Sequence, residues 1–233
     1  MLPDQQTKSL AEQCREFREA SMRKVPGETL QILQDASRRL MDSDFGNLAL
    51  HSGNSAIDFT LPESRGGMVN LHERLSRGPV VLSFYRGSWC PYCNLEMRAL
   101  IQALPEIEAT GARLIAISPE LPNHIEFDPA ELGTGIDLLS DKGNEVSRQY
   151  GLVMEVFESL RPLYREWRYD IPLHNGDESW ELPIPASYVI GRDGIIKAHY
   201  VDKNYTARME PDDIIAELKE IQTAVALIDT YPP

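Results

Sequence analysis

At 233 residues and a net charge of −13, the chain can hold one large domain, or one of about 180 residues with an appendage. Its pI near 4.8 makes nucleic acid and anionic membrane surfaces poor partners. The 42% hydrophobic and 8% aromatic content excludes a disordered composition. No stretch approaches the ~20 apolar residues needed to span a bilayer. Met1 to Gln5 lack the basic start and apolar run of a signal peptide. With three cysteines in all, a reducing compartment is expected, the cytoplasm by default.

Two helices are predicted first, over 4–24 and 28–43. Leu10, Cys14 and Phe17 recur on one face of the first, and Leu30, Leu33, Leu40 and Met41 on one face of the second. Pro26-Gly27 separates them. Residues 1–45 therefore form an N-terminal helical extension whose apolar faces need cover, from the rest of the chain or from a second subunit in a homodimer. Cys14, on that apolar stripe, is expected to be a small buried hydrophobe.

Residues 46–233 alternate strands with helices. Strands are predicted at Val80–Tyr85, Leu114–Ile117 and Ile136–Leu139, and helices at Asn94–Ile107 and Asp141–Tyr150. Ser187–Ile190 and Ile195–Ala198 flank Gly191-Arg192-Asp193-Gly194, a hairpin signal. The last helix opens at Pro211-Asp212-Asp213. This order argues an α/β fold with a central mixed sheet covered on both faces, three layers in all. An insertion at about 153–183 carries Phe157, Tyr164, Trp167, Tyr169 and Trp180, as a lid over the site or as a packed hairpin or dimer contact.

Chemistry concentrates in Phe84-Tyr85-Arg86-Gly87-Ser88-Trp89-Cys90-Pro91-Tyr92-Cys93. Two thiols at i and i+3 in the first turn of a helix can close a small disulfide ring. The positive end of the helix favours thiolate, the nucleophilic form. A zinc site would need about four ligands. Only Cys14 remains, and His51, His72, His124, His174 and His199 lack ligand spacing, so neither metal nor cofactor is expected.

Gly53 through Leu218 resembles the alkyl hydroperoxide reductase/thiol-specific antioxidant family, the peroxiredoxin branch of the thioredoxin fold. The resemblance rests on Ala56–Leu61, Val69–Leu71, Phe84-Tyr85, Ile117-Ser118, Leu138–Asp141, Tyr150–Leu152 and the hairpin from Tyr188 to Gly194. Departures accompany it. In gapless register the family's peroxidatic cysteine falls on Cys93, its threonine on Cys90 and its proline on Arg86, while its hairpin arginine is replaced at Pro185. The intact features are thioredoxin-like: Trp89-Cys90-Pro91-Tyr92-Cys93, whose Cys-Pro-Tyr-Cys is shared with glutaredoxins, and Ile184-Pro185 before a strand.

That likeness implies a cis Pro185 packed against the thiols. Ser83 stands where thioredoxins carry a buried aspartate, so the buried cysteine would be deprotonated by water, Arg86 or a carboxylate such as Glu96. The resemblance implies a thiol-dependent peroxidase acting on hydrogen peroxide or organic hydroperoxides through a Cys90/Cys93 dithiol-disulfide cycle, with thioredoxin or glutathione as reductant. Family logic assigns attack to Cys93; accessibility and the helix end favour Cys90. Arg86, Ser88, Trp89, Pro91, Tyr92 and Pro185 are the expected supporting residues. The alternatives are a thiol–disulfide oxidoreductase and a non-enzymatic, redox-switched interaction protein.

Overall fold

The computed structural model describes residues 8–127 and 135–230. Helix α1, Leu10–Met22, begins where Ser9 and Glu12 form a reciprocal capping box, which satisfies two otherwise orphaned N–H groups. The predicted residues 4–7 lie outside the described residues. A turn at Arg23-Lys24 leads through Val25 and the N-cap Pro26 into α2, Gly27–Met41. α1 buries Leu10 and Cys14 against the central core, and α2 buries Ala36 and Leu40, the latter beside Met154 and Ile184. The rest of the chain thus covers part of each face. Two expected core residues are not core: Met41 is 52% exposed and Phe17 is 37% exposed.

A short antiparallel pair follows, β1 (Thr60–Pro62) with β2 (Met68–Asn70), then α3, Leu71–Leu75. The central sheet is built from β3 (Val80–Phe84), β4 (Arg113–Ser118), β5 (Ile136–Ser140), β8 (Ala186–Ile190) and β9 (Ile196–Val201). Its strand order is β5-β4-β3-β8-β9. The first three run parallel, and β8 and β9 run antiparallel to their neighbours. Helix α4, Pro91–Ala109, carries the crossover from β3 to β4.

Period-2 alternation along β3 sorts its side chains to two faces. Val81 joins Leu114, Leu138 and Val189 under α4 and the C-terminal helix, while Val80, Leu82 and Phe84 enter the core on the other face with Leu71, Leu75 and Tyr150. Each fully buried apolar side chain here contributes about 1.5–3 kcal/mol relative to exposure. The result is the expected three-layer α/β arrangement with a mixed sheet.

After β5, α5 (Glu145–Gln149) leads to the insertion. There β6 (Val153–Glu155) pairs antiparallel with β7 (Glu181–Pro183), and α6 (Arg161–Glu166) and α7 (Ile171–Asn175) lie between them. Val156, Tyr164, Ile171, Trp180 and Leu182 give this segment its own small core. The chain closes with α8, Pro211–Thr230, which packs on α4.

The expected cis bond at Pro185 is absent: no cis peptide occurs among the described residues. Ile184 donates its N–H to Leu152 at 2.7 Å, and β7 runs almost directly into β8. An extended chain continues through a trans bond, the form that X–Pro adopts by default.

Candidate active site

The site forms where β3 ends. Arg86 and Gly87 turn the chain out of the sheet, and Gly87 has φ +155. A Cβ there would lie 2.1 Å from the Trp89 indole nitrogen, so only glycine lets that ring lie so close to the turn. Cys90 is the N-cap of α4, Pro91 occupies its first helical position, and Cys93 its third. Proline suits that first position because its missing N–H would have no helical partner. Asn94 fastens the turn from inside, its amide donating to the Ser88 carbonyl at 2.9 Å.

The two thiols are both free and both buried, but they are polarised in opposite directions. Hydrogen bonding from the Cys93 thiol, reinforced by the Arg86 and Arg208 charges, holds Cys90 down to about 6 despite its burial. Burial pushes Cys93 well up, and its hydrogen bond to Cys90 adds to the shift. The arrangement is a thiolate at Cys90 held by a protonated Cys93.

Each sulfur has its own arginine. Arg86 is buried, and its guanidinium lies 4.5 Å from the Tyr205 ring centre and 5.3 Å from that of Trp89. It donates to the Tyr164 hydroxyl, and its Nε has no hydrogen-bond partner among the described residues. No carboxylate pairs with it among the described residues; against the cost of burial, Tyr164 and then Cys90 raise its pKa, so the Cys90 thiolate is one of its counter-charges. Arg208, between β9 and α8, points its Nη2 at the Cys93 sulfur, 3.7 Å away. Its Nε donates to Glu96 at 2.7 Å in a fully buried ion pair.

Ser83 and Ser187 also approach Glu96, at 3.5 and 3.4 Å. Burial pushes the Glu96 carboxyl up to about 7, with Arg208 opposing. A carboxyl so poised, beneath Cys93, can exchange a proton near neutral pH.

Ser88 is held by a third cluster. Its N–H and hydroxyl donate to the buried Glu120 at 2.7 and 2.9 Å. His174 from α7 reaches the same carboxylate at 3.1 Å, and that contact raises its pKa. Glu120 therefore ties the thiol loop to the insertion. Trp89 packs tilted against Tyr169 and edge-to-face with Tyr164, with centroids 5.3 and 6.0 Å away. Tyr92 is held edge-on by Phe17 at 5.3 Å and by Tyr205 at 5.7 Å.

Cys90, Arg86, Trp89, Pro91 and Tyr92 line one cavity of about 360 Å³. Cys14 is buried on α1, its thiol pushed up to about 11 by burial. Pro185 is buried just beyond the last β3–β8 pair, Phe84 with Ala186. Sequence reasoning missed Arg208, Glu120, His174 and Tyr205. A signal existed for the first: Glu96, three residues after Cys93 on a helix face otherwise buried and apolar, needs a cation.

The sequence profile of the AhpC/TSA family matches residues 52–199. The chain belongs to the AhpC/TSA family. Curated relatives include the chloroplastic peroxiredoxin Q of Oryza sativa subsp. japonica, 26% identical over 170 residues, covering 72% of this chain and 65% of that protein. The Gentiana triflora peroxiredoxin Q is 30% identical over 108 residues, covering 46% of this chain and 49% of that protein. The chain thus spans less than two thirds of these relatives' lengths.

Among solved structures, peroxidoxin BcpB from Mycobacterium tuberculosis superposes with a TM-score of 0.57 at 22% identity, covering 74% of this chain and 98% of that one. The reduced 2-Cys peroxiredoxin of Plasmodium vivax gives 0.54 at 21%, covering 78% and 85%. These likenesses show a peroxiredoxin-type thioredoxin fold. The family span begins after α1 and α2.

Proposed function

We propose that the chain is a thiol-dependent peroxidase in which Cys90 attacks and Cys93 resolves. One observation carries the reading: a buried cysteine at a helix N-cap, its pKa lowered, beside an arginine that no carboxylate neutralises among the described residues. A thiolate there can attack a peroxide oxygen, and Arg86 can stabilise the oxygen that leaves. The sulfur becomes a sulfenic acid. Cys93 then forms the S–S bond to Cys90, releasing water. Arg208 stabilises the developing Cys93 thiolate, and Glu96 takes its proton. An external thiol, a thioredoxin-like dithiol or glutathione, returns both cysteines to the reduced form; three free thiols fit a reducing compartment such as the cytoplasm.

Membership of the AhpC/TSA family and the relatives named peroxiredoxin support this reading. The disulfide-oxidoreductase alternative draws on the Cys-Pro-Tyr-Cys turn, but its cis proline is missing. The deciding experiment is consumption of hydrogen peroxide and cumene hydroperoxide by the reduced full chain, with dithiothreitol as reductant. Turnover of either supports the peroxidase. Turnover of neither, with reduction of a low-molecular-weight disulfide instead, would move the assignment to the alternative.

A further inference from the structure

Ser88 stands two residues before Cys90, in the turn that carries the thiol to the N-cap of α4. Glu120 holds it with both carboxylate oxygens, one on the backbone N–H at 2.7 Å and the other on the hydroxyl at 2.9 Å. The same hydroxyl accepts the Glu126 N–H at 3.1 Å, so the turn is fastened to the loop after β4. Glu120 is fully buried. Among the described residues its one ion-pair partner is His174, whose Nδ1 lies 3.1 Å from the oxygen that holds the Ser88 hydroxyl. The backbone fixes α7 there as well, the Leu121 N–H donating to the His174 carbonyl at 2.8 Å. The other charged or titratable groups facing the imidazole among the described residues are Glu126 and His124, on the loop after β4, and Asp170, at the start of α7. A buried carboxylate is tolerated where a cation pairs with it, and stranding one is costly.

We infer that Glu120 and the His174 imidazolium are positioning residues for the thiolate. The carboxylate holds the Ser88 turn where it sets Cys90 beside Arg86, and the insertion supplies the charge that keeps the carboxylate there. The inference rests on the peroxidase reading. When His174 loses its proton, Glu120 is left as a buried anion among neutral donors. It regains hydration as the Ser88 turn loosens, and Cys90 loses its alignment with Arg86. A small alkylating agent needs no such alignment, so the thiolate stays open to it. The hydrogen bond to Glu120 raises the His174 pKa against the cost of burial, and the charges of Glu120, Glu126 and Asp170 add to the rise. Because the folded value is the higher one, the pairing contributes fully below ~6.5 and its contribution is lost as pH rises through the raised value.

The test is the second-order rate constant for oxidation of the reduced full chain by hydrogen peroxide, from about pH 5 to about pH 10, read by tryptophan fluorescence. Its linear dependence on peroxide keeps disulfide closure out of the measurement. The rate should rise through about 6 as Cys90 ionises. It should then fall by about tenfold above the His174 pKa, a part of the ~10²-fold that a misplacement of about 1 Å can cost. Iodoacetamide labelling of Cys90 should show the rise without the fall. His174→Gln, which donates a hydrogen bond but carries no charge, should react at the wild type's alkaline rate wherever Cys90 is ionised, with no fall. His174→Lys should move the fall up toward the ~10.4 of lysine. Glu120→Gln, which needs no cation, should also lose the fall. A wild-type rate level from about pH 7 to about pH 10, or a fall that His174→Gln retains, would overturn the inference and leave the peroxidase reading standing. No oxidation at any pH, with labelling intact, would remove the peroxidase reading and the inference with it. Should every variant fail to fold, the wild-type profile decides: a fall in oxidation without a fall in labelling supports the inference, and a level limb overturns it.

Discussion

Cys90 and Cys93 are three residues apart, yet burial and hydrogen bonding push their thiols in opposite directions. On the cavity side, Arg86 stands among aromatic rings with no carboxylate paired to it among the described residues, so its charge is available to a thiolate and, in the proposed reaction, to a peroxide or a leaving oxygen. On the interior side, Arg208 is bound to Glu96, and two serines approach the same carboxylate. An unpaired buried cation is costly unless something anionic arrives; a paired one holds geometry. The difference teaches that one helix turn can separate two jobs: stabilising new negative charge at one sulfur, and moving a proton at the other.

The largest expected effect comes from removing either thiol, because the two losses should differ in kind. Cys90→Ser should abolish sulfenic acid formation entirely. Cys93→Ser should give a single burst of peroxide consumption, about one equivalent per chain, and a sulfenic acid that dimedone traps. The reverse pattern would exchange the roles of the two cysteines. Next come the arginines. Arg86→Met should slow the oxidation step by about 10²–10³-fold, the usual cost of losing one charge-stabilising donor. Arg208→Met should act mainly on stability, at about 3–5 kcal/mol, because it strands a buried carboxyl. Urea titration and stopped-flow oxidation on both variants check the contrast, and equal effects on rate would erase it.

A smaller effect is expected at Glu96. Glu96→Gln should leave sulfenic acid formation intact while slowing disulfide closure by about 10²-fold, the lower end for a lost proton acceptor. The dependence of closure on pH near 7, where Glu96 titrates, should also vanish. Retention of that pH dependence would point to another proton acceptor.

The pH profile of the thiol itself carries a definite sign. Iodoacetamide labelling of Cys90 should have a midpoint at about 6, well below the ~8.5 of a free thiol. Because the folded value is the lower one, the thiolate contributes stability that is full above ~8.5 and is lost as pH falls through about 6. The stability difference between wild type and Cys90→Ser should therefore shrink on acidification, and a difference that grew would reverse the assignment. Least of all should Cys14→Ala matter. Turnover should stay within about twofold, and stability should fall by about 1 kcal/mol for the lost buried sulfur. A collapse of turnover would bring Cys14 into the cycle.

Much of the frame was legible in the sequence, because local patterns set it. The apolar run Val80–Phe84, the glycines of the β8–β9 turn, and the Pro91 start of α4 each carry their structural meaning in neighbouring residues. The thiol turn was legible for the same reason. What was not legible depends on partners far along the chain. Arg208 lies 112 residues from Glu96, and His174 lies 54 from Glu120; nothing near any of them announces the other. Phe17 followed the helical period but faces the cavity, since periodicity selects a side of a helix and not what lies opposite it. In the insertion, Trp180, Phe157 and Tyr164 pack, and Tyr164 also lines the cavity with Trp167 and Tyr169.

Because Cys90 is only 2% exposed and opens onto the cavity, the proposed cycle brings oxidant, reduced product and reductant to it through that cavity in turn. Each must leave before the next arrives, so initial-rate plots against peroxide at several reductant concentrations should run parallel, the pattern of a substituted-enzyme cycle. A protein reductant faces a further step, since its own sulfur has to reach one lying behind α1, α2 and the insertion. Its rate should level off with concentration at the speed with which that cover parts. A small thiol that fits the mouth escapes this ceiling, so the choice of electron donor becomes a matter of clearance as much as of redox potential.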